Sequence, residues 1–286
     1  MMELVSPNFE DVLKPNMELK KFPDGDSYIQ IPQIRECVGK NIALFHRLYP
    51  EQDSSLIQAL FILEALKAAQ AEEVTLVAPY LPYSRQDKIF LKGEVKSAER
   101  ICKLLSDAGC KRLITLDCHF LKKAGTFEYG GLKIVNLTMS DTLIAYARKK
   151  FNEEFEVISP DEGAKYMVEE VGGRTMQKVR GGYVGGEEGA ETAYRKIEKL
   201  ESKFDFQDKN VLILDDMIST GSTMIKAVKN VKENGAKRIA CGATHGFFLK
   251  DSLGILRREC EFVFVTNSIP SPVAEINVIK DLQGQL

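Results

Sequence analysis

The chain has 286 residues, 44% apolar and 28% charged, the balance of a globular protein of about two domains, which excludes a disordered, collagenous or membrane-spanning chain. Its net charge of −2, from 39 Lys+Arg against 41 Asp+Glu, provides no basic field for nucleic acid or an anionic membrane surface. Six cysteines without CxxC spacing and three histidines leave little for a zinc cluster, so reduced thiols in a cytoplasmic protein are expected. Met1–Pro7 has no basic flank followed by an apolar core and is not read as a signal peptide.

In chain order, Asn41–Phe45 reads as a buried strand, His46–Ser55 as a polar loop, Leu56–Ala69 as a helix and Val74–Ala78 as the next strand. The pattern returns in the second half. Asn210–Leu214 is a strand, Asp215–Thr223 a loop, Met224–Glu233 a helix, Asn234–Ala236 a turn and Arg238–Gly242 a strand. Leu56, Leu60, Leu63 and Leu66 share one helical face, as do Ile225, Val228 and Val231. Strands alternating with helices predict an α/β fold with parallel sheets, and the repeated unit predicts two tandem halves, 1–138 and 139–286. In such sheets ligands sit at the carboxyl ends of the strands, which directs attention to the two loops.

The second loop carries the chemistry. Asp215 and Asp216 close an apolar run; Ser219, Thr220, Ser222 and Thr223 then surround Gly221 at the start of a helix. Glycine lets backbone approach an anion, and helix N-terminal amides with hydroxyls cradle phosphate. Carboxylates beside that cradle suit a ligand that also offers hydroxyls or a divalent cation, as a sugar phosphate does. The chain has no Gly-Lys-Ser/Thr and no dinucleotide fingerprint after a strand, so neither a Walker loop nor a dinucleotide fold is indicated.

Val211–Thr223 resembles the phosphoribosyl-binding loop of the type I phosphoribosyltransferase fold. Four further segments resemble the ribose-phosphate pyrophosphokinase family: Phe22-Pro23-Asp24-Gly25-Asp26; Pro79 to Lys88 with Arg85-Gln86-Asp87; Thr115-Leu116-Asp117-Cys118-His119; and Val157 to Gly163 with Asp161. The resemblance implies two tandem phosphoribosyltransferase-like domains, each a mainly parallel sheet flanked by helices. It implies ATP contacts in the first domain, from Arg85, Gln86, Asp87 and His119, and from Phe22, Asp24, Gly25 and Asp26 reaching a neighbouring subunit. It places ribose 5-phosphate on Asp215, Asp216, Ser219, Thr220, Gly221, Ser222 and Thr223, with Arg180. Mg²⁺ falls to His119 and Asp161, and a homodimer or higher homo-oligomer shares the ATP site.

Between Asp161 and the phosphate loop, Gln177–Gly186 holds four glycines in six residues, too many for a firm element. The family's catalytic loop lies here, and its Lys-x-Arg pair corresponds to Lys178 and Arg180. The charged stretch Glu187–Lys203 reads as a solvated helix or an extension of that hairpin. The implied reaction is attack of the ribose 1-hydroxyl on the β-phosphorus of Mg·ATP, giving phosphoribosyl pyrophosphate and AMP. A catalytically silent regulatory homologue that binds nucleotide is the alternative. His46–Ser55 has neither the glycine nor the acid pair, so the first half has lost sugar-phosphate binding under the duplication reading. Asp26 stands where the family usually has glutamate, Val179 where it often has a basic residue, and few residues precede Phe22 where the family commonly carries another strand and helix.

Overall fold

The protein is described here by a computed structural model covering residues 1–180, 197–201 and 204–286; for 177–180 and 197–201 the description is of the backbone. The chain divides into two units, residues 1–138 with 277–286, and residues 139–276.

In the first unit the strands are β1 (Met2–Val5), β2 (Glu18–Lys21), β3 (Ser27–Gln30), β4 (Asn41–Phe45), β5 (Glu73–Val77), β6 (Cys110–Leu116), β7 (Gly125–Tyr129) and β8 (Leu132–Leu137). Helices α1 (Gln52–Ala68) and α2 (Ser97–Asp107) connect them. Six strands form one sheet in the order β1-β4-β5-β6-β8-β7, parallel except for the closing β7–β8 hairpin, while β2 and β3 form a separate antiparallel hairpin. Strand β1 fills the edge ahead of Phe22 where few residues were available, pairing Met2–Val5 with Ile42–Phe45. Leu44, Leu63, Leu66, Leu76 and Leu113 are fully buried in the core between this sheet and its helices.

The second unit contains α3 (Ser140–Phe151), β9 (Phe155–Ser159), α4 (Tyr166–Glu169), β10 (Arg174–Thr175), β11 (Gln177–Arg180), β12 (Ile197–Glu201), β13 (Asn210–Ile218), α5 (Ser222–Glu233), β14 (Arg238–Gly246), α6 (Ser252–Glu259), β15 (Phe262–Thr266) and β16 (Ala274–Ile276). Its sheet runs β10-β9-β13-β14-β15-β16 with every neighbouring pair parallel, and β11–β12 is an antiparallel hairpin. The helix α7 (Ile279–Gln283) follows. The sequence reading kept 277–286 in the second half; instead these residues cluster with the first unit. Val278 and Leu282 are buried, and Gln283 Nε2 donates to Glu3 Oε1 at 3.2 Å, contacts that local periodicity cannot foretell.

The parallel strand-helix-strand units β4-α1-β5 and β13-α5-β14 occur as expected, with two shifts in boundary. Helix α1 starts at Gln52 because its polar first turn carries no apolar signal. Strand β13 continues through Asp215 and Asp216 to Ile218, since the ladder to β14 persists with Asp215 opposite Ala243 and Met217 opposite His245. The acid pair therefore stands on a rigid strand, whereas the sequence assigned it to the loop. Residues 197–201 of the charged stretch form strand β12, antiparallel to β11, which is the hairpin extension rather than the helix of the two readings.

Candidate active site

In the second unit, the turn after β13 is three residues long, and Gly221 closes it in the left-handed region at φ 73° before α5 begins at Ser222. That conformation favours glycine, and a Cβ there would also stand 2.5 Å from Ser252 Cβ. Thr220 Oγ1 and Ser222 Oγ lie 3.1 Å apart, so hydroxyls line the opening of α5, whose first turn has no acidic residue. The free amides and positive end of this helix suit an anion.

Asp215 and Asp216 alternate on β13, and the Asp216 amide donates to Asp215 Oδ1 at 2.9 Å. Asp161 follows the neighbouring strand β9, and its Oδ1 accepts the Gly163 amide at 2.6 Å. Burial, reinforced by the negative charges of Asp216 and Asp161, pushes the Asp215 carboxyl well above the usual carboxylate range. Carboxylates crowded this way favour a ligand that donates hydrogens or brings positive charge. Among the described residues no group of three or more His, Cys, Asp or Glu could hold a metal ion. Mg²⁺ fits such a site through one or two carboxylates, with phosphate oxygens and water completing its shell.

Lys178 and Arg180 lie on β11, paired with Leu200 and Ile197 of β12. Their side chains, and the glycine run 181–186, lie outside the described residues.

In the first unit, the β2–β3 hairpin presents Phe22–Asp26 to solvent. Phe22 is half-exposed, Gly25 has φ 98°, and the Asp26 amide donates to Asp24 Oδ1 at 3.2 Å. The segment after β5 combines a buried base with an exposed edge. Tyr80, Leu81 and Ser84 are buried, while Arg85 and Gln86 are exposed and Asp87 is half-buried. Gln86 is anchored to the start of α2: its Oε1 accepts from Ser97 Oγ at 2.5 Å and its carbonyl accepts the Ala98 amide at 3.3 Å. Glu94 Oε2 accepts the amides of Phe90 and Leu91 at 2.6 and 3.0 Å, folding the loop that follows. His119, half-buried, follows β6, whose end is fixed by the Leu116 amide donating to Pro79 O at 3.0 Å and Cys118 N–H donating to Asn136 Oδ1 at 2.8 Å. Arg85–Asp87 follow β5, His119 follows β6 and Asp161 follows β9, each beyond the carboxyl end of a strand in its own unit.

Residues 10–109 match a family model described as the N-terminal domain of ribose phosphate pyrophosphokinase, and residues 161–272 match a phosphoribosyl transferase domain. A ribose-phosphate pyrophosphokinase of Pyrococcus furiosus is 31% identical over 95% of this chain and 92% of its own length. One of Pyrococcus abyssi is 33% identical over 92% and 88%. The chain belongs to the ribose-phosphate pyrophosphokinase family. A phosphoribosylpyrophosphate synthetase from Mycobacterium smegmatis has the same fold, with a TM-score of 0.79 at 21% identity over 100% of this chain and 97% of that one. Both units are accordingly phosphoribosyltransferase-like domains of mainly parallel sheet flanked by helices.

Two features of this family site were not singled out in the sequence. Tyr83, held at φ 62°, hydrogen-bonds through its hydroxyl to Asp53 in the first turn of α1. Ser252, the first residue of α6, lies under Gly221. Each depends on contact between residues 30 or more apart along the chain, for which spacing gives no signal.

Proposed function

We propose that this chain transfers the β,γ-diphosphoryl group of Mg·ATP to the 1-hydroxyl of ribose 5-phosphate, releasing AMP and phosphoribosyl pyrophosphate. The observation that carries this reading is the hydroxyl-lined turn after β13, with an acid pair on the strand leading into it. A sugar phosphate matches both parts. Its phosphate takes the amides and hydroxyls of Ser219–Thr223, while its ring hydroxyls donate to Asp215 and Asp216. A hydrogen donor at that position also offsets the burial and the neighbouring negative charges that push the Asp215 carboxyl above the usual carboxylate range.

The first unit supplies the nucleotide side. Arg85 offers a planar fork to phosphate, Gln86 an amide to the base, and Asp87 and His119 complete the contacts. The exposed hairpin tip, Phe22 with Asp24, Gly25 and Asp26, reaches the ATP of a second copy, so a homodimer is the smallest active unit. His119 in the first unit and Asp161 in the second would each serve as a ligand to Mg²⁺, and the ion would neutralise charge on the phosphate oxygens. Lys178 and Arg180 stabilise the negative charge that grows during transfer, and Arg180 also contacts the ribose phosphate. The protein's part is in-line positioning and exclusion of water, which would otherwise hydrolyse ATP. Six buried cysteines outside any disulfide fit a reducing, cytoplasmic setting, and among the described residues no helix is long and apolar enough to cross a membrane.

³¹P NMR of the protein with ATP, ribose 5-phosphate and Mg²⁺ tests the reaction. AMP together with a pyrophosphate on ribose C1 supports it, whereas ADP and a ribose bisphosphate mean simple kinase chemistry. No turnover with both substrates bound indicates a silent homologue. In the same assay Lys178→Ala is expected to lower turnover at least about a hundredfold while ribose 5-phosphate still binds. Unchanged turnover removes Lys178 from the mechanism.

A further inference from the structure

The hydroxyl-lined turn rests on the segment between β14 and α6. The amides of Phe247 and Phe248 donate to Ile218 O at 2.9 and 3.2 Å, and the Leu249 amide donates to Ser219 O at 2.9 Å. Ser252 completes the support. A Cβ built on Gly221 would lie 2.5 Å from Ser252 Cβ and 3.3 Å from its hydroxyl oxygen, so the two residues are in close contact. Ser252 is 2% exposed, and its Oγ has no hydrogen-bond partner among the described residues. A buried hydroxyl without a partner is unfavourable, and alanine would occupy this first helical position without that cost.

We propose that Ser252 is a positioning residue for the sugar phosphate, acting through Gly221 without touching the ligand. As an anion draws in the amides and hydroxyls of Ser219–Thr223, which otherwise bond one another through Thr220 and Ser222, the Ser252 hydroxyl takes a backbone partner in the Gly221 turn. Binding then satisfies a buried polar group that has no partner among the described residues. Affinity for the phosphate end of the substrate thereby depends on a residue in the next helix. The proposal rests on Ser219–Thr223 being the ribose 5-phosphate site.

The full-length wild type, Thr220→Val, Ser252→Ala and Ser252→Cys are compared by steady-state kinetics and by the rise in melting temperature that ribose 5-phosphate produces. For Ser252→Ala the KM for ribose 5-phosphate is expected to rise about five- to tenfold, the size of one neutral hydrogen bond, with kcat and the KM for ATP changed by less than about twofold. Its ligand-free melting temperature stays level or rises, since an unpaired buried group is removed. Ser252→Cys, which keeps the volume with a weak donor, falls between alanine and wild type. A merely structural role would lower the ligand-free melting temperature and leave this KM unmoved. If Thr220→Val raises the KM for ribose 5-phosphate and Ser252→Ala changes it less than about twofold, the Ser252 proposal is overturned alone. If ribose 5-phosphate does not raise the wild-type melting temperature and Thr220→Val has no effect, the reading of the turn fails first and takes the proposal with it.

Discussion

In the first unit β4 passes through residues 46–51 into α1; in the second, β13 passes through residues 219–221 into α5. Each turn ends on a left-handed residue, Glu51 at φ 53° and Gly221 at φ 73°. The chemistry around them diverges. In the first turn His46 is buried, with Nδ1 2.9 Å from Ser6 Oγ and Nε2 donating to Ser55 O at 2.8 Å. Arg47, also buried, pairs with Asp11 at 2.5 Å, donates to Asn8 O at 2.8 Å and lies over the Phe9 ring. Glu51 and Asp53 put carboxylates at the start of α1, where an anion would be repelled. In the second turn the same place carries hydroxyls and a glycine. One connection is thus a packed joint and the other the cradle we propose for a ligand, and the difference lies in which side chains turn inward.

The contrast can be broken most sharply at Gly221. Gly221→Ala adds a methyl in a left-handed conformation and against Ser252, and kcat/KM for ribose 5-phosphate is expected to fall at least about a hundredfold. Steady-state kinetics at saturating ATP gives the answer, and a loss under tenfold would mean that the turn is not a tight cradle. In the first turn the expected cost is to stability. Arg47→Ala removes a buried guanidinium and its ion pair and should lower unfolding free energy by about 3–4 kcal/mol in urea titrations, with turnover per folded molecule retained.

His46 makes the same joint sensitive to acid. Burial lowers its pKa from 6.5 to about 4, so the folded state holds the ring neutral while the unfolded chain takes up a proton. Its contribution is therefore present in full above pH 6.5 and is lost as pH falls towards about 4, a loss of about 3 kcal/mol across that window. Urea midpoints measured between pH 7 and 4 should decline, and His46→Gln should flatten the decline. The smallest effect belongs to Glu51→Gly. Relief of the left-handed strain is offset by backbone entropy and by loss of the exposed Lys21 ion pair, leaving a change of less than about 1 kcal/mol in thermal unfolding. A gain of phosphate affinity in that variant would show that the packed side chains around the first turn do not by themselves prevent it from holding an anion.

Much of the fold and of the candidate site was legible from residues 41–78 and 210–242, because period and apolar run length report local elements directly. The hydroxyl turn, the acid pair and the Arg85-Gln86-Asp87 segment were visible as residue types in order, and those types dictate what they can bind. Their supports were not visible. His46 and Arg47 looked like polar loop residues until Ser6, Asn8, Asp11 and Ser55 were seen around them. Asp215 and Asp216 looked like loop residues because their side chains end an apolar run, yet strand pairing is made by backbone groups indifferent to that change. Residues 277–286 return to the first unit, where Gln283 bonds to Glu3 at the other end of the chain. By itself the sequence determined the two repeated units and the hydroxyl, glycine and carboxylate pattern of the second turn, since both are written in neighbouring residues. Only the tertiary structure decided which polar groups are packing and which are poised for a ligand, because burial and hydrogen-bond partners come from residues far apart in the chain.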